Sequence, residues 1–144
     1  MKILIVDDEP TNRLVLHRIL KSYGECDVAA NGVKAVAAFD VAIESGRGYD
    51  LICLDIMMPE MDGQEALKIM RSHELSKGIE YPDGARVIMT TAVDDSKQIL
   101  SAFKSGCEAY VIKPIQKADL IFEMEKLGLI QPHPEIAVGI ASEE

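Results

Sequence analysis

Tryptophan is absent from this chain of 144 residues, and the whole aromatic complement is four tyrosines and three phenylalanines. Each aromatic is therefore worth weighing individually. Basic residues are also scarce: 15 Lys and Arg face 24 Asp and Glu, a formal charge of -9. Nonspecific binding to nucleic acid runs on Lys and Arg displacing counterions from phosphates, so this balance argues against direct DNA or RNA binding. No apolar run approaches the roughly 20 residues that a membrane-spanning helix needs, which excludes a membrane role and leads us to expect a cytoplasmic protein. The basic-then-apolar start, Met1 to Val6, is cut off by Asp7-Asp8-Glu9-Pro10, too early for a signal peptide.

Cysteine is sparse as well. Cys26, Cys53 and Cys107 are odd in number and show neither CxxC nor Cys/His ligand spacing, so reduced thiols in the core are expected. The nucleotide-binding patterns GxxxxGK[ST] and GxGxxG are missing. A chain of this length still buries enough surface for one core, and its 48% hydrophobic and 27% charged residues are those of an ordinary globular domain.

What is present is an alternation of short apolar runs with amphipathic segments, the pattern of a doubly wound α/β fold with a parallel sheet and helices on both faces. The runs are Lys2 to Val6, Cys26 to Ala30, Leu51 to Leu54, Arg86 to Met89 and Ala109 to Ile112, which predict five strands. Leu16, Ile19, Leu20 and Tyr23 share a face of a first helix stopped by Gly24. Asn31 caps a second, with Val33, Val36, Ala37 and Val41 inward and Gly46 at its end. A third follows Asp62-Gly63 and buries Ala66, Leu67 and Met70; a fourth starts near Asp95-Ser96, carries Ile99, Leu100 and Phe103, and stops at Gly106. A fifth carries Leu120, Met124 and Leu127 up to Gly128. His73 to Ala85, with Gly78, Pro82, Asp83 and Gly84, reads as a long exposed loop. Residues 1–127 form the expected domain, and 128–144 a tail.

Ligands of open parallel sheets bind outside the carboxyl ends of the strands. There the chain places Asp7, Asp8 and Glu9 after the first strand, Asp55 after the third, Thr90 and Thr91 after the fourth, and Lys113-Pro114 after the fifth. Taken singly, each has an ordinary explanation. Acids and Pro10 suit a helix N-terminus, Asp55 a turn, Lys113 the surface and Thr91 a strand. Their coincidence at one rim is harder to explain that way. Adjacent carboxylates repel unless a cation lies between them, and hard oxygen donors favour Mg2+.

In these residues the chain resembles the response-regulator receiver domains of bacterial two-component signalling, over roughly residues 1 to 127. The resemblance rests on Val6-Asp7-Asp8-Glu9, Leu54-Asp55-Ile56-Met57-Met58-Pro59, Met61-Asp62-Gly63, Thr91-Ala92 and Tyr110-Val111-Ile112-Lys113-Pro114. It implies a flavodoxin-like sheet of order 2-1-3-4-5. It also implies that Asp55 accepts a phosphoryl group from a sensor histidine kinase or phosphorelay histidine, with Mg2+ held by Asp7, Asp8, Asp55 and the Met57 carbonyl. Lys113 and Thr91 would contact the phosphoryl group, the Lys113-Pro114 bond would be cis, and Thr91 with Tyr110 would form the switch. The signal would leave through the fourth helix, fifth strand and fifth helix, with Lys97, Phe103 and Lys117 contributing. Such a protein catalyses only its own phosphorylation and dephosphorylation.

Apolar Met57 and Val93 would shield the acyl phosphate from water, because neither orients a nucleophile. Within the fold, a flavin carrier and an unphosphorylated interaction module are the alternatives, and a phosphatase with a DxD motif is opposed by Met57 at the third position. With no output domain in sequence, a stand-alone regulator acting on a separate protein is expected.

Overall fold

Parallel strands buried on both faces need nearly continuous apolar sequence, and the central strands here have it. In this computed structural model, which describes residues 1–80, 83–92 and 96–132, the strands are β1 (Lys2–Val6), β2 (Glu25–Ala29), β3 (Leu51–Asp55), β4 (Arg86–Thr91) and β5 (Ala109–Ile112). Between and after them run α1 (Pro10–Leu20), α2 (Gly32–Glu44), α3 (Gly63–Ser76), α4 (Ser96–Lys104) and α5 (Lys117–Lys126). The strands form one sheet in the order β2-β1-β3-β4-β5, and every neighbouring pair is parallel. The order reverses between β1 and β3, so the chain diverges at the carboxyl ends of those two strands.

In β1, β3 and β4, alternate residues serve two cores. Leu4, Val6, Ile52, Leu54, Val87 and Met89 pack under α2 and α3, against Phe39, Leu67 and Met70. Ile3, Ile5, Leu51, Cys53 and Ile88 face α1 and α5, against Leu16, Leu20, Leu120 and Met124. Each of these fully buried large side chains stabilises the fold by about 2 kcal/mol. Leu129 and Ile130 continue the second core beyond α5. The cysteines are unpaired; burial pushes the Cys53 thiol up to about 12 and the Cys107 thiol up to about 11.

Local sequence explains most helix ends. Asn31 Oδ1 accepts from the Lys34 amide at 2.8 Å, and Asp62 Oδ1 from the Glu65 amide at 2.9 Å. Gly46, Gly106 and Gly128 adopt positive φ where α2, α4 and α5 end. Gly24 does not act as a stop: α1 ends at Leu20, and a Cβ on Gly24 would lie 2.1 Å from the Met1 carbonyl oxygen. Close backbone approach, rather than a left-handed turn, requires glycine there.

Two helix faces differ from expectation. On α2, Val33 and Val41 are exposed and Ala37 with them, while Ala35, Phe39 and Ala42 point inward. That helix is apolar on several sides, and burying the Phe39 ring decides its rotation. On α4, Leu100 and Phe103 are exposed and Ala102 is buried. The predicted loop from His73 is shorter than expected because α3 continues to Ser76. His73 lies 2.6 Å from Asp40 and Lys77 lies 2.7 Å from Glu44, two matched rungs between α3 and α2. Pro82 of the loop, Val93, Asp95 at the start of α4 and the tail from residue 133 lie outside the described residues.

At the amino end of the sheet a polar clamp joins segments far apart in sequence. The Arg71 guanidinium donates to Glu74 at 2.7 Å, to Glu108 at 2.9 Å and to the carbonyls of Ala85 and Gly106. Glu74 in turn accepts from the Ala85 amide at 2.8 Å, and Glu108 from the Val87 amide at 2.6 Å. Burial raises the Glu108 carboxyl above its ordinary range. Arg71→Met leaves two buried carboxylates without their cation, and is expected to lower unfolding stability at pH 7 by about 3 kcal/mol, less at pH 5. Urea unfolding of the two proteins at both pH values measures this.

Candidate functional site

The carboxyl ends of β1, β3 and β5 meet along one rim; β1 delivers two ionisable side chains to it, and β3 and β5 one each. Asp7 follows β1 directly and is fully buried. Its Oδ1 accepts from the Glu9 amide at 2.9 Å and from Asn12 Nδ2 at 3.4 Å, while Arg13 donates to its backbone carbonyl at 2.7 Å. Asp55 closes β3 and is 3% exposed. Its Oδ1 accepts from the Met57 amide at 3.2 Å. Lys113 follows β5, and its ammonium lies 3.0 Å from Asp7 Oδ2 and 3.1 Å from Asp55 Oδ1. The Lys113-Pro114 peptide bond is cis, as expected.

Charge at this site is unbalanced. Carboxylate oxygens of Asp7, Asp8 and Asp55 lie within 4.8 Å of one another, with one ammonium between two of them. Asp7 Oδ2 is buried and has no hydrogen-bond partner; its approach to Lys113 is an ion pair without hydrogen-bond geometry. Desolvation first, and the Asp7 charge second, push the Asp55 carboxyl up to about 6 despite the opposing pull of Lys113. Desolvation alone would lower the Lys113 ammonium, but its pairing with the Asp7 and Asp55 carboxylates outweighs that and holds it above its ordinary range. An orphaned buried oxygen and three converging carboxylates fit a small divalent cation, because such an ion satisfies the lone pair and cancels the surplus charge. The same charge opposes the flavin alternative, whose phosphate would meet buried carboxylates.

The hydroxyls occupy β4. Asp55 pairs in register with Thr90, and the Ile56 amide donates to the Thr90 carbonyl at 3.0 Å. Thr91 is buried, and among the described residues its hydroxyl makes one long contact, 3.3 Å, to the Ala92 carbonyl. The Lys113 amide donates to the Thr91 carbonyl at 2.7 Å, so backbone bonds connect the threonine and lysine positions. Met57 is 58% exposed at the mouth of the site. Tyr110 stands apart, 37% exposed on β5, with its ring edge-on to Phe103 at 6.0 Å.

Sequence reasoning missed Asn12 and Arg13, which hold Asp7 from the first turn of α1; it named Gly63 within a motif but missed its role, since a Cβ there would lie 2.1 Å from the Asp55 carbonyl oxygen. The spacing from Asp7 to Arg13 was legible; the contact at Gly63 needs the path of the loop after β3.

A family model described as the response regulator receiver domain matches residues 3–125. Hybrid signal transduction histidine kinase L of Dictyostelium discoideum is 35% identical over 128 residues, 88% of this chain, which spans only 7% of that relative's length. The chemotaxis protein CheY of Listeria monocytogenes is 33% identical over 129 residues, covering 88% of this chain and 97% of its own. Among solved structures, the CheX-CheY-BeF3-Mg2+ complex from Borrelia burgdorferi aligns with a TM-score of 0.75 at 26% identity, over 88% of both chains. The co-crystal structure of the Saccharomyces cerevisiae histidine phosphotransfer signaling protein Ypd1 with the receiver domain of its downstream response regulator Ssk1 aligns with a TM-score of 0.75 at 27% identity, over 93% of this chain and 92% of that one.

The raised Asp55 carboxyl makes a signed prediction for metal-free protein. Its folded value near 6 exceeds the ordinary 3.8, so folded protein binds more protons between those limits and stability from this group falls as pH rises through them. Asp55→Asn is therefore expected to be more stable than wild type by about 2 kcal/mol at pH 7 and nearly equal to it at pH 4, in chelator-treated urea titrations.

Proposed function

Because the chain belongs to the response regulator receiver domain family, we propose that it takes a phosphoryl group onto Asp55 and uses it as a reversible signal. The observation that carries this reading is the meeting of Asp7, Asp8 and Asp55 with a lysine that touches two of them. An Asp55 carboxylate oxygen attacks the phosphorus of a phosphohistidine. The P–N bond breaks, its electron pair leaves with the imidazole, and an acyl phosphate forms. Asp7, Asp8, Asp55 and the Met57 carbonyl would hold Mg2+, which supplies neutralisation of the phosphoryl oxygens when bound. The chain's own groups do the rest. The Lys113 ammonium moves its pairing from carboxylate to phosphoryl oxygen, and the Thr91 hydroxyl exchanges its long bond to Ala92 for one to the same group.

With Thr91 drawn toward the phosphoryl group, Tyr110 turns inward from its exposed edge contact with Phe103. This changes the face of α4, β5 and α5, on which Lys97, Phe103, Tyr110 and Lys117 are exposed. Donors in this reading are a sensor histidine kinase or a phosphotransfer protein, and the output is a protein that reads that face. The pairing of a receiver domain with a histidine phosphotransfer protein in the yeast co-crystal structure supports the first, and the complex of CheX with CheY the second. No turnover of an external substrate is part of this proposal. Residues 1–127 form the acting module and 128–144 a tail.

Incubation with a small phosphodonor and Mg2+ is expected to add one phosphoryl group by intact mass. Asp55→Asn or a chelator abolishes the adduct; an undiminished adduct in Asp55→Asn refutes the assignment. Met57→Asn, which places a water-orienting amide at the exposed mouth, is expected to shorten the adduct's lifetime several-fold. An unchanged decay rate rejects the shielding role of Met57.

A further inference from the structure

Helix α4 carries much of the proposed output face, yet little apolar burial holds it. Among its described side chains only Ala102 is buried; Ile99 is half-buried, and Leu100 and Phe103 are exposed. Toward its carboxyl end, α4 is parted from α3 by an open cleft of about 530 Å³ lined by Lys68, Ser72, Lys104 and Ser105. One side chain spans the two helices. Gln64, in the first turn of α3 and 9% exposed, donates through Nε2 to Gln98 Oε1 and accepts at Oε1 from the Ser101 hydroxyl at 2.5 Å. Positions 98 and 101 are three apart on one face of α4, so a single carboxamide grips that helix at two points.

The other end of this contact reaches the phosphoacceptor. Gly63, immediately before Gln64, donates its amide to the Ile56 carbonyl at 2.8 Å, and its Cα is packed against the Asp55 carbonyl with no room for a Cβ. Any shift of the backbone at Asp55 is therefore felt at Gly63 and delivered to Gln64. That path runs through α3 and is separate from the threonine and tyrosine.

We propose that Gln64 is a positioning residue that fixes the resting seat of α4 and couples it, through Gly63, to the backbone of Asp55. The proposal rests on the receiver reading for its signal but not for its geometry. A carboxamide bonded to two sites gives α4 one orientation. A rotation or slide of the helix breaks both bonds together, so the seat is either made or lost.

Hydrogen exchange followed by mass spectrometry on the full, unphosphorylated chain tests the seat directly. Gln64→Met keeps the volume and removes both bonds; α4 amides are expected to exchange about tenfold faster, with α1, α2 and α5 unchanged. Gln64→Glu retains acceptors for Ser101 and for a turned Gln98 amide, and is expected to exchange like wild type. Ser101→Ala should loosen α4 alone but add nothing in the Gln64→Met background. Wild-type exchange in Gln64→Met, acceleration throughout the chain, or full additivity with Ser101→Ala overturns the proposal.

The phosphodonor then separates the two readings. With an adduct on Asp55, wild-type α4 is expected to loosen, whereas Gln64→Met takes up the same adduct with little further change. An adduct that loosens α4 equally in both proteins refutes the coupling while leaving the receiver reading intact. Absence of any adduct on wild type refutes the receiver reading, and the seat is still judged by the unphosphorylated exchange.

Discussion

The Lys113 ammonium lies between two carboxylates that the sheet forces together, 3.0 Å from Asp7 and 3.1 Å from Asp55. Neither acid can move away, because each closes a central strand whose preceding residues are packed on both faces. One positive charge cannot satisfy both acids and Asp8 as well, and the raised Asp55 carboxyl registers the shortfall. Much of the rim follows from that shortage. It accounts for the fit of the site to a divalent cation, which would supply the missing positive charge. In the proposed reaction a phosphoryl group would bring further negative charge, which a bound cation would offset.

The opposite end of the sheet faces the same problem and resolves it differently. There Arg71 meets Glu74 and Glu108, but backbone amides of Ala85 and Val87 also donate to those carboxylates. Every oxygen involved has a donor, so that cluster binds the fold together and offers nothing to a ligand. At the rim, Asp7 Oδ2 is left without a hydrogen bond. The contrast separates a structural polar cluster from a reactive one more clearly than burial does, since both are largely removed from water.

Strand positions, the rim acids, Lys113 and the turn glycines were legible in the sequence because each depends on neighbours within a few residues. Strand order came from the family resemblance. The face of α2 was not legible, because Val33, Ala37 and Val41 offer as regular an apolar stripe as Ala35, Phe39 and Ala42. Only the space under the sheet selects between them. Arg71, Glu108 and Gln64 escaped notice for a related reason: each has a partner about 34 to 37 residues away, and nothing in local pattern marks a polar residue as bonded at such range. Tyr110 was singled out through the family resemblance as a switch residue, but its contact with Phe103 required the actual rotation of α4.

The three cysteines differ in a way that matters to anyone attaching a probe. Cys53 is sealed in the central strand and Cys107 is buried beside Glu108, and both thiols resist ionisation. Burial raises the Cys26 thiol too, but it alone is half-buried, on the edge strand β2, so a maleimide dye meets it first. That strand lies at the edge of the sheet opposite β5 and the proposed output face. The native chain thus accepts one label at a place where it observes the molecule without obstructing the surface that partners would read.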